Sequence, residues 1–428
     1  MKKLIIVICA ACASYPMAAE NRTLSLKQAV ELALRENPDI TLARLEEQRT
    51  ALNVQVVKEP LLPRVFAGSW LAYSNGFPMS IDGAAPSIVE AKAVRTMYSR
   101  PQGLQVAQAR ENAVGATYST AATREEVALR TATLFLDLEK ATRAIDLATK
   151  QAEELSRVEA LVRLRVGEGK EKEIEGRRAA LNVARARQKA EMLGSQRRRL
   201  AASLATVLGL NPADAIDPAS EERANPALPS SEEDSVREAL NDNPEIRKLE
   251  SDLAAKNLQM RSFKAMRYPK IDLVAQYGLF AKFNHYTDYF RTFQRNNGEI
   301  GLAVSVPLFA NAQDEAQAAQ AAVDSQRIRT ELQRLRGRVE TETRQAWEEI
   351  REAETAQQVA RLDLDLGREQ VNLLLAQLEE GKATMKEVEE ARYGEHEKWM
   401  QLYDARASLE RAQFQLLRQT RMLVAALR

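Results

Sequence analysis

Cysteine is almost absent from the 428 residues: Cys9 and Cys12 are the two, both within the first dozen positions. The remainder therefore needs no disulfide framework and holds no cysteine metal cluster. Histidine is as scarce. His285 stands in an aromatic-rich stretch and His396 among charges, so surface positions are expected for both and no metal site. Sixty-one Lys and Arg against 60 Asp and Glu leave a formal charge of +1, so no net field draws nucleic acid. Beyond the first twenty residues no run of about 20 apolar residues occurs, which excludes a membrane-spanning helix. "RVGEGKE" lacks the spacing and hydroxyl of a nucleotide-binding loop, and no nucleophile stands with a matching base. Arg197 to Arg199 read as a solvated or ion-paired face. No enzyme and no cofactor are expected.

Ala, Leu, Glu, Arg and Gln dominate instead, with 28% charged residues, the composition of long helices and coiled coils. The start, "MKKLIIVICAACASYPMAAE", pairs two lysines with a short apolar run and small residues. It predicts a secretory signal peptide over 1–19, cleaved near Ala13 to Ala19. Acylation at Cys12 is an alternative, although Cys9 stands where a lipoprotein signal usually carries leucine.

Only 17 glycines and 14 prolines interrupt the chain, and they interrupt it twice in one register. "AVELALRENPDI" (Ala29 to Ile40) recurs as "SVREALNDNPEI" (Ser235 to Ile246), an offset of 206 that also carries Pro63 to Pro269 and Pro101 to Pro307. "GEGKEKEI" (Gly167 to Ile174) pairs with "GKATMKEV" (Gly381 to Val388) at 214. The expected organisation is a first unit over 20–210, a linker over 211–234 containing four prolines, and a second unit over 235–428. Each unit holds a short helix ending before Asn-Pro, a helix of about 25 residues, a strand pair (about 64–100 and 270–307), and a helical hairpin. The long hairpin helices should run from Pro101 to Gly167 and from Pro307 to Gly381. Return helices should follow to Gly209 and to the terminus. Heptad seams run along Leu138, Ala141, Ile145, Ala148, Ala152 and Leu155, and along Leu402, Ala405, Leu409, Ala412 and Leu416.

The strand passages alternate. Ile271, Leu273, Ala275, Tyr277 and Leu279 share one face, as do Ile300, Leu302, Val304 and Val306; small or polar residues take the other. In the first unit Val65, Ala67, Leu71, Tyr73, Val94 and Tyr98 are expected to face one way. One apolar face over about ten residues fits a membrane barrel strand. By periodicity it equally fits a small soluble sheet capping a bundle. Four strands cannot close a membrane barrel, so in lipid several chains would have to pool them.

Signal peptide, duplicated unit and a "VPLF" ending the last strand together resemble the TolC family of outer-membrane efflux proteins over essentially the whole mature chain. The resemblance implies a mainly α fold with a β-barrel part. A homotrimer would pool four strands per chain into a twelve-stranded transmembrane barrel, and long hairpins would form an α-barrel in the periplasm. It implies a passive outer-membrane channel-tunnel serving a periplasmic adaptor protein and an inner-membrane pump, in efflux or type I secretion. A soluble periplasmic coiled-coil protein is the alternative. Ile271, Leu273, Tyr277, Leu279, Ile300, Leu302, Val304 and Val306 would face outer-membrane lipid. Loops Asn75 to Glu90 and Ala281 to Asn297 would face the exterior, the second carrying Phe283, Tyr286, Tyr289, Phe290 and Phe293. The linker would lie at the tunnel's waist. Gly167 and Gly381 would mark the periplasmic tips, where Val166, Glu168, Gly169, Lys170, Lys382 and Ala383 would dock the adaptor. The family often has Leu or Val directly after each glycine; Glu168 and Lys382 stand here instead, which fits a more polar contact. Glu387 and Glu390 match the acidic positions six and nine past the second tip glycine. In a trimer they would place a ring of six carboxylates at the periplasmic gate. A solvated helix face explains the same two residues.

Overall fold

The computed structural model describes residues 21–70, 87–219, 223, 226–280, 287, 291, 294–308 and 312–427. The signal peptide, Leu71, Tyr73, His285 and the five loop aromatics fall outside them. The described chain is mostly helical, in the order β1 (Asn21–Leu24), α1 (Leu26–Glu36), α2 (Pro38–Lys58), β2 (Arg64–Trp70), β3 (Ser87–Ser99), α3 (Arg100–Gly167) and α4 (Glu173–Val207). It continues through β4 (Ala215–Pro218), α5 (Glu232–Asp242), α6 (Pro244–Lys264), β5 (Lys270–Phe280) and β6 (Asn296–Ser305). The last elements are α7 (Ala312–Glu379), α8 (Met385–Gln419) and the short α9 (Leu423–Ala426).

The element bounds keep a constant spacing in two steps. Between α1 and α5, α2 and α6, and the ends of β3 and β6 the offset is 206; from α3 to α7 and α4 to α8 it is 212. The second half thus has six more residues, Val306 to Asn311, between its last strand and its long helix. Pro101 is the second residue of α3, a position that suits proline, whereas Pro307 precedes α7 by five residues. The two prolines share a sequence offset but not a structural place. Both long helices have 68 residues, about 100 Å at 1.5 Å per residue.

The Asn-Pro pairs start helices as their chemistry dictates. Asn37 Oδ1 accepts from Asp39 N at 2.8 Å, and Asn243 Oδ1 from Glu245 N at 2.9 Å, so each satisfies amides that the first helical turn leaves without a partner. Asn37 does more: its Nδ2 donates to the Val207 carbonyl at 2.7 Å, fastening the start of α2 to the end of α4. Ser25 and Gln28 close a reciprocal capping box on α1.

The described residues form two compact units, each discontinuous in sequence. One, from 21–41, 124–239 and 342–427, packs Leu26, Val30, Phe135, Leu138, Leu204 and Leu417 in its core. Burying each such side chain contributes about 1.5–3 kcal/mol. Along the first seam Leu138, Ala141, Ala148 and Ala152 are buried, and along the second Leu402, Leu409, Ala412 and Leu416; Ile145, Leu155 and Ala405 are half-buried. This unit also holds a parallel pair, β1 with β4, that the sequence pattern did not announce. Arg197 forms an ion pair with Asp217 of β4, so the arginine run is in part ion-paired. The other unit, 42–123 and 240–341, carries a four-stranded antiparallel sheet in the order β2-β3-β5-β6.

Candidate functional site

Residues directly opposite in an antiparallel ladder share a face. Register therefore assigns the sheet's two sides. Ile271 pairs with Tyr98 and Val304, Leu273 with Arg95 and Leu302, Ala275 with Ala93 and Ile300, Tyr277 with Ala91 and Gly298, and Leu279 with Val89. Val65 and Ala67 of β2 pair with Ala93 and Ala91 and extend that face. Among the described residues it is apolar apart from Asn296, opposite Leu279 at the far end, and one charge, Arg95. The opposite face carries Arg64, Lys92 and Lys270 against Glu90, Asp272 and Glu299, so its formal charges cancel. Here Thr96 donates to Asp272 at 2.7 Å, and Lys270 pairs with it at 2.9 Å.

The apolar side is uncovered within the described chain. Ile300 is 76% exposed, Leu302 68% and Val304 63%, and Tyr277 and Val306 are exposed as well. Ile271, Leu273 and Leu279 are half-buried. Val306 lies one residue past β6. One first-unit residue changes side. Val94 pairs with Arg64 and Val274 on the polar side, whereas Tyr98 reaches the apolar side as expected. A bulge between Thr96 and Tyr98 shifts parity by one, and period-two reading cannot see it. The loop expected over Asn75 to Glu90 also ends earlier than expected, because β3 already begins at Ser87.

At the hairpin tips α3 and α7 end in one backbone motif. Lys170 N donates to Arg165 O at 2.9 Å and Gly169 N to Val166 O at 3.0 Å; Lys382 N donates to Gln377 O at 2.8 Å and Gly381 N to Leu378 O at 3.0 Å. These are Schellman caps, which place a left-handed residue two positions past the last helical one. That residue is Gly169 (φ 70°) in one tip and Gly381 (φ 73°) in the other. Gly167 is the last residue of α3, so the turn glycine of the first tip is Gly169 and the tips correspond at 212, not 214. Glu168 and Lys170 pair at 2.7 Å and Lys382 and Glu380 at 2.6 Å; all four are exposed, while Val166 and Ala383 are half-buried.

Glu387 and Glu390 lie in the first two turns of α8 and are exposed. Glu387 has local work: its Oε2 accepts from Thr384 N at 2.7 Å and Thr384 Oγ1 at 2.8 Å, completing a capping box. Between the two, half-buried Glu389 has its pKa raised by burial and by the charge of Glu154, against Arg392 and His396. Sequence reading passed over Glu389 because glutamate is common throughout these helices. His396 is half-buried rather than at the surface, its Nδ1 without a hydrogen-bond partner among the described residues.

Arg223, in the linker, is held by Glu139 of α3 at 2.7 Å and Glu410 of α8 at 3.0 Å. It lines a cavity of about 290 Å³ together with Lys140, Arg143 and Tyr403. Burial opposes the guanidinium charge, but the bonds to Glu410 and Glu139 outweigh it and raise its pKa further. Among the described residues no cluster of His, Asp and Glu is arranged to hold a metal ion, and no helix is long and apolar enough to cross a membrane.

No protein-family model and no curated protein matches the sequence. Solved structures do match in fold. A membrane protein from Pseudomonas aeruginosa superposes with a TM-score of 0.76 at 15% identity, covering 92% of this chain and 90% of its own. CusC, a protein that undergoes conformational change on folding and transmembrane channel formation, gives 0.75 at 14% identity, with 92% of each chain covered. The Neisseria gonorrhoeae MtrE outer membrane channel in its open state gives 0.72 at 15% identity, over 93% and 89%. This chain thus shares the mostly helical fold of solved outer-membrane channel proteins, which is the coarse part of what its resemblance to the TolC family implied.

Proposed function

We propose that this chain is one protomer of a homotrimeric channel-tunnel in the outer membrane. The carrying observation is the open sheet. β2 and β6 each pair on one side only, and the apolar face bearing Ile300, Leu302 and Val304 is bare. Hydrocarbon tolerates no open edge, so four strands become stable there once three copies close a twelve-stranded barrel. Ile271, Leu273, Tyr277, Leu279, Ile300, Leu302, Val304 and Val306 then face lipid, and the charge-balanced side lines the lumen. A soluble coiled-coil protein accounts for the helices but leaves this face unexplained.

In this reading residues 1–19 direct export, and a duplicated unit supplies two strand pairs and two hairpins around the 211–234 linker. The hairpins reach into the periplasm. Their polar tips, Val166 to Lys170 and Gly381 to Ala383, dock an adaptor protein, and an inner-membrane pump supplies the energy. The tunnel conducts passively and needs no catalytic group. Glu387 and Glu390 of three chains form the gate's carboxylate ring, with Glu387 also capping α8.

Outer-membrane fractionation followed by unheated gel electrophoresis tests the assembly. A heat-labile trimer in the outer-membrane fraction is expected; a protein extracted without detergent and running as a monomer contradicts it. For the gate, Glu387→Gln with Glu390→Gln removes the charge while glutamine still completes the capping box. Weaker cation block of the reconstituted trimer is expected, and unchanged block removes the ring from the account.

A further inference from the structure

Arg95 is the one charge on the sheet's apolar face among the described residues. It is exposed and has no hydrogen-bond or ion-pair partner within them. Its cross-strand neighbour is Leu273, three residues into β5 from Lys270, hence about 10 Å along the strand from the sheet's helical end. At the usual tilt of barrel strands this is roughly 7 Å along the membrane normal, within reach of an arginine stem that lays its carbons on apolar surface and its head in the interface. β2 begins at Arg64, opposite Val94, so Arg95 lies one position beyond the end of the β2–β3 ladder and has its cross-strand partner on the β5 side alone. Tyr98, exposed and one row nearer the helices, carries its hydroxyl where barrel aromatics meet headgroups.

We propose that Arg95 and Tyr98 bind the phosphate of an anionic phospholipid headgroup in the periplasmic leaflet of the outer membrane. This rests on reading the sheet as one third of a membrane barrel. A guanidinium presents two parallel N–H donors to phosphate oxygens, and a phenol adds a third. A charge that hydrocarbon alone would disfavour is then satisfied by the membrane itself. Three such sites per trimer would fix the barrel's depth.

Native mass spectrometry of the detergent-purified protein, titrated with phosphatidylglycerol, phosphatidylcholine or inorganic phosphate, tests the site. Wild-type protein is expected to retain phosphatidylglycerol selectively, and Arg95→Gln to weaken that retention about tenfold. Arg95→Lys should keep part of it, since the charge remains and the fork does not. Both variants must still run as heat-labile oligomers; Arg95 is exposed, and neither change touches a packed group. Equal retention by wild type and Arg95→Gln, equal retention of phosphatidylcholine, or full competition by inorganic phosphate overturns the lipid site while leaving the channel reading intact. Failure of wild-type protein to incorporate into phosphatidylglycerol vesicles overturns the membrane reading and this site with it.

Discussion

α4 and α8 end 212 residues apart with the same turn and different residues in it. Leu210 N donates to Ala205 O and Gly209 N to Thr206 O; Met422 N donates to Leu417 O and Arg421 N to Arg418 O. Both are Schellman caps, but the left-handed position is glycine in the first (φ 73°) and arginine in the second (φ 62°). The surroundings explain the choice. A Cβ at Gly209 would sit 2.6 Å from the Glu36 carbonyl oxygen, so no side chain fits where α4 meets the end of α1. At Arg421 the guanidinium is exposed, and its charge acts on Glu125 of α3, whose carboxylate accepts from Val424 N at 3.4 Å, at the start of α9. One backbone requirement is met by removing a side chain where space is lacking. Elsewhere the strain of an arginine is accepted where its charge is useful.

The tips show the same division. α8 starts with the Thr384–Glu387 capping box, whereas α4 has Lys172 at its N-cap, makes no side-chain cap and carries exposed ion pairs in its first turns, Glu173 with Arg177 and Glu175 with Arg178. Exposed pairs of this kind contribute little. At the 212 spacing Glu387 corresponds to Glu175 but Glu390 to Arg178, so the acidic pair belongs to the second tip alone.

The largest expected effect is Gly209→Ala. Left-handed strain and overlap with the Glu36 backbone together should destabilise by roughly 2–5 kcal/mol, read as a lower Tm in detergent. Next is Glu125→Gln. Burial raises the Glu125 pKa from 4.5 to about 7, so the folded chain holds this proton more tightly than the unfolded one. Stability from this group is complete below about pH 4.5 and declines as pH rises through 7. Glutamine should therefore raise Tm at pH 8, by up to about 3 kcal/mol of stability, and leave it unchanged at pH 4. Equal gains at both pH values would point to packing instead. Thr384→Ala should cost about 1 kcal/mol and Lys172→Thr gain somewhat less, and denaturant midpoints would show whether the two tips differ in capping as described. Smallest is Arg421→Gly: relief of about 1 kcal/mol of left-handed strain is largely offset by glycine's backbone entropy of about 0.5–1 kcal/mol, and the small net gain should shrink from pH 5 to pH 8, as ionised Glu125 loses its countercharge.

Much of this was legible in sequence because prolines and Asn caps act locally. Asn37-Pro38, Asn243-Pro244 and the strand alternation place their elements correctly. What escaped depended on geometry that composition does not carry. "GEGK" offers two glycines two apart, and only the position of the last helical residue decides that Gly169 turns the chain. The six residues after β6 stayed hidden because Pro101 and Pro307 keep the earlier spacing. The break at Arg421 has no glycine to announce it, and α8 therefore stops short of the terminus. The side of Val94 depends on a bulge. At the candidate site, Arg95 sits on an apolar face only through cross-strand register, a property of two strands rather than one.

Planar-bilayer conductance of protein purified from outer membranes tests the central claim most directly. Trimers should insert in discrete, reproducible conductance steps, with any cation preference arising at the Glu387 and Glu390 ring and not in the charge-balanced barrel lining. Protein that runs as a trimer yet produces no steps would contradict a conducting role.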